Sequence, residues 1–241
     1  HHYLHRRQRQ MCIRDRTVAI LYNFPSNPTG GTLNEQQRDD LLAFAAKHDL
    51  WIISDEVYDR IVFETEHVSF MGTGYDKLMV VNSFSKTFAM TGWRIGYIVS
   101  TNLEAMKQVV KIQYYISACS NDAMQYAVLE AMEKANDYPS MMATEFQKRC
   151  KLIVDRLNAM PGVQCHQPKG SIYVFPKVDV PGMSSEDVAL ELLKDGVLCS
   201  PGSAFGPSGE GHLRFAYTIG PDDIARGMDK VEATLTRLQQ G

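Results

Sequence analysis

Cysteine is scarce in this 241-residue chain: five residues, at 12, 119, 150, 165 and 199, none in a Cys-x-x-Cys pair. That scatter argues against a disulfide framework or a zinc site and fits reduced thiols. No apolar run approaches the roughly 20 residues that a membrane-spanning helix needs. Neither sign of charge dominates. The formal net charge of −3 gives no reason to expect nucleic acid or an anionic membrane as a partner. Internal repeats and low-complexity tracts are missing as well. What remains is a chain with 44% apolar residues, enough to bury a sizeable core as one large domain or two modest ones. These absences together lead us to expect a soluble cytoplasmic protein.

An opening methionine is also lacking, and Met11 comes late. Residues 1–16 hold five arginines and three histidines and differ in kind from the rest of the chain. This segment reads as a foreign or disordered tail rather than as part of a fold. From Val18 onward the chain alternates strand and helix signals. Val18–Tyr22, Leu50–Ser54 and Leu78–Val81 are short apolar runs bounded by turn formers, read as buried strands. Between the first two, Asn34 with Gln37 forms a capping-box pattern, and Leu41, Phe44, Ala45 and His48 follow at helical spacing. Strand, helix, strand in this order predicts a parallel, doubly wound α/β sheet. A polar loop over 65–76 precedes the third strand, and Trp93–Val99 reads as a fourth.

Helical periodicity returns over 102–115 and 121–134, and a long amphipathic helix opened by Pro139 runs to Met160. Short strands are expected at 163–166, 172–175, 197–200 and 212–217. A helix capped by Ser184 with Asp187 lies among them, and Pro221 begins a terminal helix. The organisation expected is thus a tail over 1–16, a larger α/β domain over 17–138, and a smaller α+β domain over 139–241 reached through the long helix.

Chemistry concentrates where strands end. Ser83 to Gly96 reads Ser-Phe-Ser-Lys-Thr-Phe-Ala-Met-Thr-Gly-Trp-Arg-Ile-Gly, so Lys86 sits just past a strand's carboxyl end. Ligands bind at that edge of open parallel sheets, and an amine there can form a Schiff base with a carbonyl cofactor. Hydroxyls at Ser83 and Ser85 and the guanidinium of Arg94 could hold a phosphate in the same crevice. A carbonyl with a phosphate suggests pyridoxal phosphate. Asp55, just past the second strand, is placed to keep a pyridine nitrogen protonated, which makes the ring an electron sink. The plainer readings are a solvated lysine at 86, a helix cap at 55 and a packed aromatic at Tyr58.

These blocks, with Asn-Pro-Thr-Gly at 27–30, Ser-Asp-Glu-Val-Tyr at 54–58 and Pro-Gly-Ser-Ala-Phe-Gly at 201–206, stand in the order of a known family. The stretch from Val18 to the end resembles the class I, aspartate aminotransferase-like branch of fold-type I pyridoxal-phosphate enzymes. The resemblance implies that Asn27 and Tyr58 hydrogen-bond the cofactor's phenolic oxygen and that Asp55 pairs with its ring nitrogen. It also implies that Ser83, Ser85 and Arg94 hold the phosphate, that Lys86 forms the Schiff base, and that Arg214 binds the substrate carboxylate. Such tight positioning suits a cis bond before Pro28. Glu56 has no assigned role.

The activity implied is transamination between an L-amino acid, aspartate-like, and a 2-oxo acid such as 2-oxoglutarate, with Lys86 as general base at the substrate's Cα and no metal. A homodimer is implied for the intact protein. Set against such a family the chain reads as N-terminally truncated, with only four strands of a larger sheet, unpaired strand edges and weak cofactor binding on its own. A related pyridoxal-phosphate lyase, a non-catalytic aminotransferase-like binding module and an inactive fragment remain the alternatives.

Overall fold

The computed structural model describes residues 16–240, so all but the last residue of the expected tail lies outside the described residues. The first sheet holds four strands in the order β1 (Ala19–Asn23), β2 (Trp51–Asp55), β3 (Leu78–Ser83) and β4 (Gly96–Val99). β1, β2 and β3 pair in parallel, and β4 returns antiparallel with Gly96 opposite Ser83. In β3 the alternation of side chains buries Leu78, Val80 and Asn82 on one face, as the period of two requires.

Helix α1 (Glu35–Lys47) covers that face. Its capping box is complete: Asn34 accepts the Gln37 N–H at 2.8 Å, and Gln37 Oε1 accepts the Asn34 N–H at 3.0 Å. Ala45, Leu50, Ile52, Phe70, Leu78 and Val80 form the core beneath it. Each such side chain contributes about 1.5–3 kcal/mol on burial if as large as valine or larger.

The fourth strand is shorter than expected. Thr91–Trp93 is a 3₁₀ turn and Arg94 adopts a left-handed conformation at φ 56°, which breaks the extended run before Gly96. Gly96 itself has no room for a side chain, since a Cβ there would stand 2.8 Å from the Asn82 carbonyl oxygen. One turn of helix, α2 (Phe84–Thr87), joins β3 to this segment.

Helices α3 (Leu103–Ser117), α4 (Asp122–Lys134) and α5 (Tyr138–Asn158) follow, the first two capped by Asn102 and Asn121. The C-terminal half pairs β5 (Val163–Gln164) with β7 (Lys177–Val178), and orders β6 (Tyr173–Val174), β9 (Leu213–Ala216) and β8 (Ser200–Pro201) in a second small sheet. These strands are two to four residues long, shorter than the runs expected from sequence, and β7 is additional to them. Helices α6 (Ser185–Lys194) and α7 (Pro221–Gln240) complete it, with the Ser184 and Asp187 capping box in place.

The larger core lies here, built from Ile153 and Leu157 of α5, Leu192 of α6, Val231 and Leu235 of α7, and the strands between them. The two halves are stitched together. Ser171 N–H donates to the Ile61 carbonyl at 2.8 Å and Phe63 N–H to Lys169 at 3.0 Å, while Phe146 of α5 packs against cores on both sides.

Candidate active site

Strand β3 ends in its own helix cap. Ser83 Oγ accepts the Ser85 N–H at 3.3 Å, so the chain turns at once and presents Lys86 at the carboxyl edge of the sheet. The Lys86 Nζ stands 5.9 Å from the ring centroid of Tyr58. Tyr58 lies three residues past β2 and is buried. Burial, then the neighbouring Tyr173 hydroxyl, push its phenol well above the ordinary range, which keeps it a proton donor.

Asp55 closes β2, level with Asn23 of β1 and Val81 of β3. Its Oδ1 accepts the Val57 N–H at 3.2 Å. Burial pushes the Asp55 carboxyl up, and the hydrogen bonds from Val57 and Asn23 pull it part of the way back.

Asn23 organises the next loop: its Oδ1 accepts the Asn27 N–H at 2.8 Å while its Nδ2 donates to the Asp55 carbonyl at 3.1 Å. The peptide bonds before Pro25 and Pro28 are both cis. Gly30 of the same loop takes φ 67°, and its carbonyl accepts the N–H groups of Lys169 and Gly170 from the C-terminal half.

That half supplies Arg214, from β9. Nη1 donates to Asn27 Oδ1 at 2.8 Å and Nη2 to Ser200 Oγ at 3.0 Å. The guanidinium carbon lies 4.4 Å from the ring centroid of Tyr173 and 4.9 Å from that of Phe205. Contacts therefore run from Lys86 through Tyr58 and Tyr173 to Arg214, and from Arg214 through Asn27 and Asn23 to Asp55. Ser83, Ser85 and Arg94 are a second group. They line a cavity of about 600 Å³ between β3, β4 and α3, with Gly96, Tyr97 and Gln113. Arg94 turns its Nη1 onto the Thr91 carbonyl at 3.0 Å rather than onto either serine, and Thr91 in turn donates to the Ser85 carbonyl at 3.1 Å.

Residues 6–231 match the family model described as aminotransferase class I and II. The chain belongs to that family. Among similar aminotransferases, the aspartate aminotransferase of Pyrococcus abyssi is 35% identical over 92% of this chain, and the aromatic-amino-acid aminotransferase 2 of Thermococcus litoralis 34% over the same share. This chain spans 58% of the length of each. Solved aminotransferases share its fold. The aromatic aminotransferase of Pyrococcus horikoshii OT3 superposes with a TM-score of 0.90 at 34% identity, covering 96% of this chain and 63% of that one. The aspartate aminotransferase of Thermus thermophilus with maleate gives 0.87 at 28%, covering 95% and 59%. The architecture is accordingly that of a fold-type I aminotransferase.

Beside the positions singled out in its sequence, this aminotransferase-family chain uses several that sequence reasoning passed over. Tyr173 and Phe205 clasp Arg214, and Asn23 ties the Asn27 loop to Asp55. Glu56, left without a role, is a buried hub. It accepts from Ser54 Oγ at 2.9 Å, Ser69 Oγ at 2.7 Å and Phe70 N–H at 3.0 Å, and pairs with His67 Nε2 at 2.8 Å. The sequence signal for it was a charged residue just past the end of a buried strand. Among the described residues no cluster of three His, Cys, Asp or Glu could hold a metal, no helix is long and apolar enough to cross a membrane, and Cys119, Cys150, Cys165 and Cys199 are free thiols.

Proposed function

We propose that this chain is the lysine-bearing part of a pyridoxal-phosphate-dependent transaminase. It would move an amino group between an aspartate-like L-amino acid and a 2-oxo acid such as 2-oxoglutarate. The observation that carries this reading is the bridge between halves: Arg214 of β9 donates to Asn27, whose loop Asn23 ties to Asp55, and Tyr173 and Tyr58 link it to Lys86. The donor set fits the cofactor's chemistry: an amine for its carbonyl, a buried carboxylate for its ring nitrogen, and two hydroxyls with a guanidinium for its phosphate.

When bound, pyridoxal phosphate supplies a carbonyl that condenses with amines and a ring that stores the electron pair released at Cα. Lys86 would bond that carbonyl and, once freed by the substrate's amine, would serve as the general base that moves the Cα proton to the cofactor's carbonyl-derived carbon. Asp55 would hold a proton on the ring nitrogen; Asn27 and Tyr58 would donate to the phenolic oxygen. Ser83, Ser85 and Arg94, which line one cavity, would hold the phosphate. Arg214 takes the α-carboxylate with a planar fork, which fixes the bond at Cα that is broken. The maleate complex of the Thermus thermophilus relative supports a dicarboxylic substrate. Residues 17–138 belong to the cofactor-binding large domain and 139–241 to the small domain with its long helix. The intact protein works as a cytoplasmic homodimer, and the exposed apolar side chains of α3 and α4 support a partner surface.

The test is the visible absorbance of the chain mixed with pyridoxal phosphate, then borohydride reduction and peptide mapping. A reduced adduct on Lys86, lost in Lys86→Ala, is expected. Labelling spread over many lysines would sink the proposal.

A further inference from the structure

Tyr173 touches two parts of the site that do different work. It stands on β6 opposite Ala216 of β9, so Arg214, two residues along β9, is its diagonal neighbour on the same face of that sheet. Its ring lies 4.4 Å from the Arg214 guanidinium carbon, and Phe205 lies on the guanidinium at 4.9 Å. Phe205 is backed in turn by Phe175, at 5.7 Å and 82°, and Phe175 stacks on His212 at 4.9 Å. A guanidinium recognises a carboxylate in its own plane. Two aromatic rings, their centroids 4.4 and 4.9 Å from its central carbon, limit how that plane can turn. Asn27 and Ser200 each take one hydrogen bond, from Nη1 and Nη2, and each of those nitrogens carries a second N–H.

The other end of Tyr173 meets Tyr58. Their hydroxyl oxygens are 3.4 Å apart, with Tyr58 donating, and their rings meet edge to face at 6.0 Å. A phenol has one proton. If Tyr58 gives its proton to a cofactor oxygen, the Tyr173 hydroxyl can reverse and donate to Tyr58, strengthening that bond through the chain of hydroxyls.

We infer, on the strength of the transaminase reading, that Tyr173 is a positioning residue with two separable actions: its ring sets the plane of Arg214 for carboxylate binding, and its hydroxyl sets the donor strength of Tyr58. Neither action touches the reacting atoms. They are separable because phenylalanine keeps the ring and drops the hydroxyl, while leucine at 205 removes the second ring on Arg214 and leaves the Tyr173 hydroxyl alone.

The experiment uses the full chain with pyridoxal phosphate and reads three quantities for the unsubstituted chain, Tyr173→Phe, Tyr173→Leu and Phe205→Leu. They are the pH midpoint of the cofactor's visible absorbance, the affinity for succinate by calorimetry, and the thermal unfolding midpoint as a check on folding. Tyr173→Phe is expected to move the absorbance midpoint upward and to leave succinate affinity within about twofold. Phe205→Leu should weaken succinate about tenfold, the scale of a lost cation–π contact, and leave the absorbance midpoint in place. Tyr173→Leu should do both. Variants that fold and move neither reading, or move both together in every case, overturn the role of Tyr173. At saturating pyridoxal phosphate, which the weak binding expected of this chain calls for, a cofactor band unchanged by Lys86→Ala overturns the transaminase reading itself.

Discussion

Two adjacent carboxyl groups, at the last residue of β2 and the one after it, are pushed in opposite directions. Burial dominates at Asp55 and pushes its carboxyl up, whereas at Glu56 burial is outweighed by hydrogen bonds from His67, Ser69 and Phe70, which hold the carboxyl below its ordinary range. The one whose burial is only partly offset is the group assigned to the cofactor's nitrogen. A charge that the fold alone disfavours is available to a cationic partner, so Asp55→Asn separates folding from function. Asparagine still accepts the Val57 N–H and removes the disfavoured charge. Urea unfolding of Asp55→Asn should show stability unchanged or raised by up to about 1 kcal/mol, while transamination falls on the order of 10²-fold or more. A destabilised variant that kept its activity would reverse the assignment. At this scale the placement of Lys86, Asp55, Asn27 and Tyr58 at or just past strand ends was legible, because short apolar runs mark where those strands stop. Tyr173 was not, because its partner Tyr58 is 115 residues away and a lone aromatic in a short strand carries no mark of what it touches.

The second carboxylate belongs to an element, the loop from His67 to Phe70 that precedes β3. Glu56 is 2% exposed and collects two hydroxyls, a backbone N–H and an imidazole, so one side chain pins that loop against the segment that carries Asp55 and Tyr58. Glu56→Gln keeps the shape and loses the charge, leaving donors without a full partner. We expect a loss of about 2–4 kcal/mol in chemical unfolding, with Tyr58 fluorescence altered before global unfolding. The pH dependence has a definite sign. Because the folded carboxyl titrates below its unfolded value, near about 4.3, its contribution is complete above that value and fades as pH falls through the folded one. The difference in stability between the parent chain and Glu56→Gln should therefore shrink in acid. A difference that stayed constant from neutral pH into acid would remove the charged hub from the account.

Among elements, helix starts were the most legible, since Asn34 with Gln37 and Ser184 with Asp187 are local patterns that the backbone obeys. Strand limits were the least legible: β4 waits for Gly96 because Arg94 is left-handed, and the short strands of the C-terminal half are set by their partners rather than by their own sequence.

For the whole molecule, the order strand, helix, strand was enough to expect parallel pairing of β1 and β2, whereas β3 joins them in parallel through a segment with no helix. What covers the sheet is a long-range matter. β1 and β4 are its edge strands, and Leu21 of β1 is 75% exposed. Beyond the sheet, Tyr115 and Ile116 of α3 are 77% and 73% exposed, and Tyr126 and Leu129 of α4 lie open as well. Open edges offer unpaired N–H and C=O groups to another chain, and apolar helix faces offer area; either drives association.

The two routes leave different signatures. Helix-face association saturates at a defined oligomer, whereas edge pairing continues and gains β-structure. In sedimentation velocity at about 10–100 μM, the range where such surfaces act, we expect the chain to associate with concentration. Tyr115→Lys with Ile116→Lys should return it to a monomer with unchanged far-ultraviolet circular dichroism, because both side chains project into solvent. Leu21→Lys, placed on the edge strand, should leave that oligomer intact. If Leu21→Lys alone dissolves the association, the sheet edge is the sticky surface and α3 is not. A chain that stays monomeric throughout this range would mean that neither surface drives association by itself.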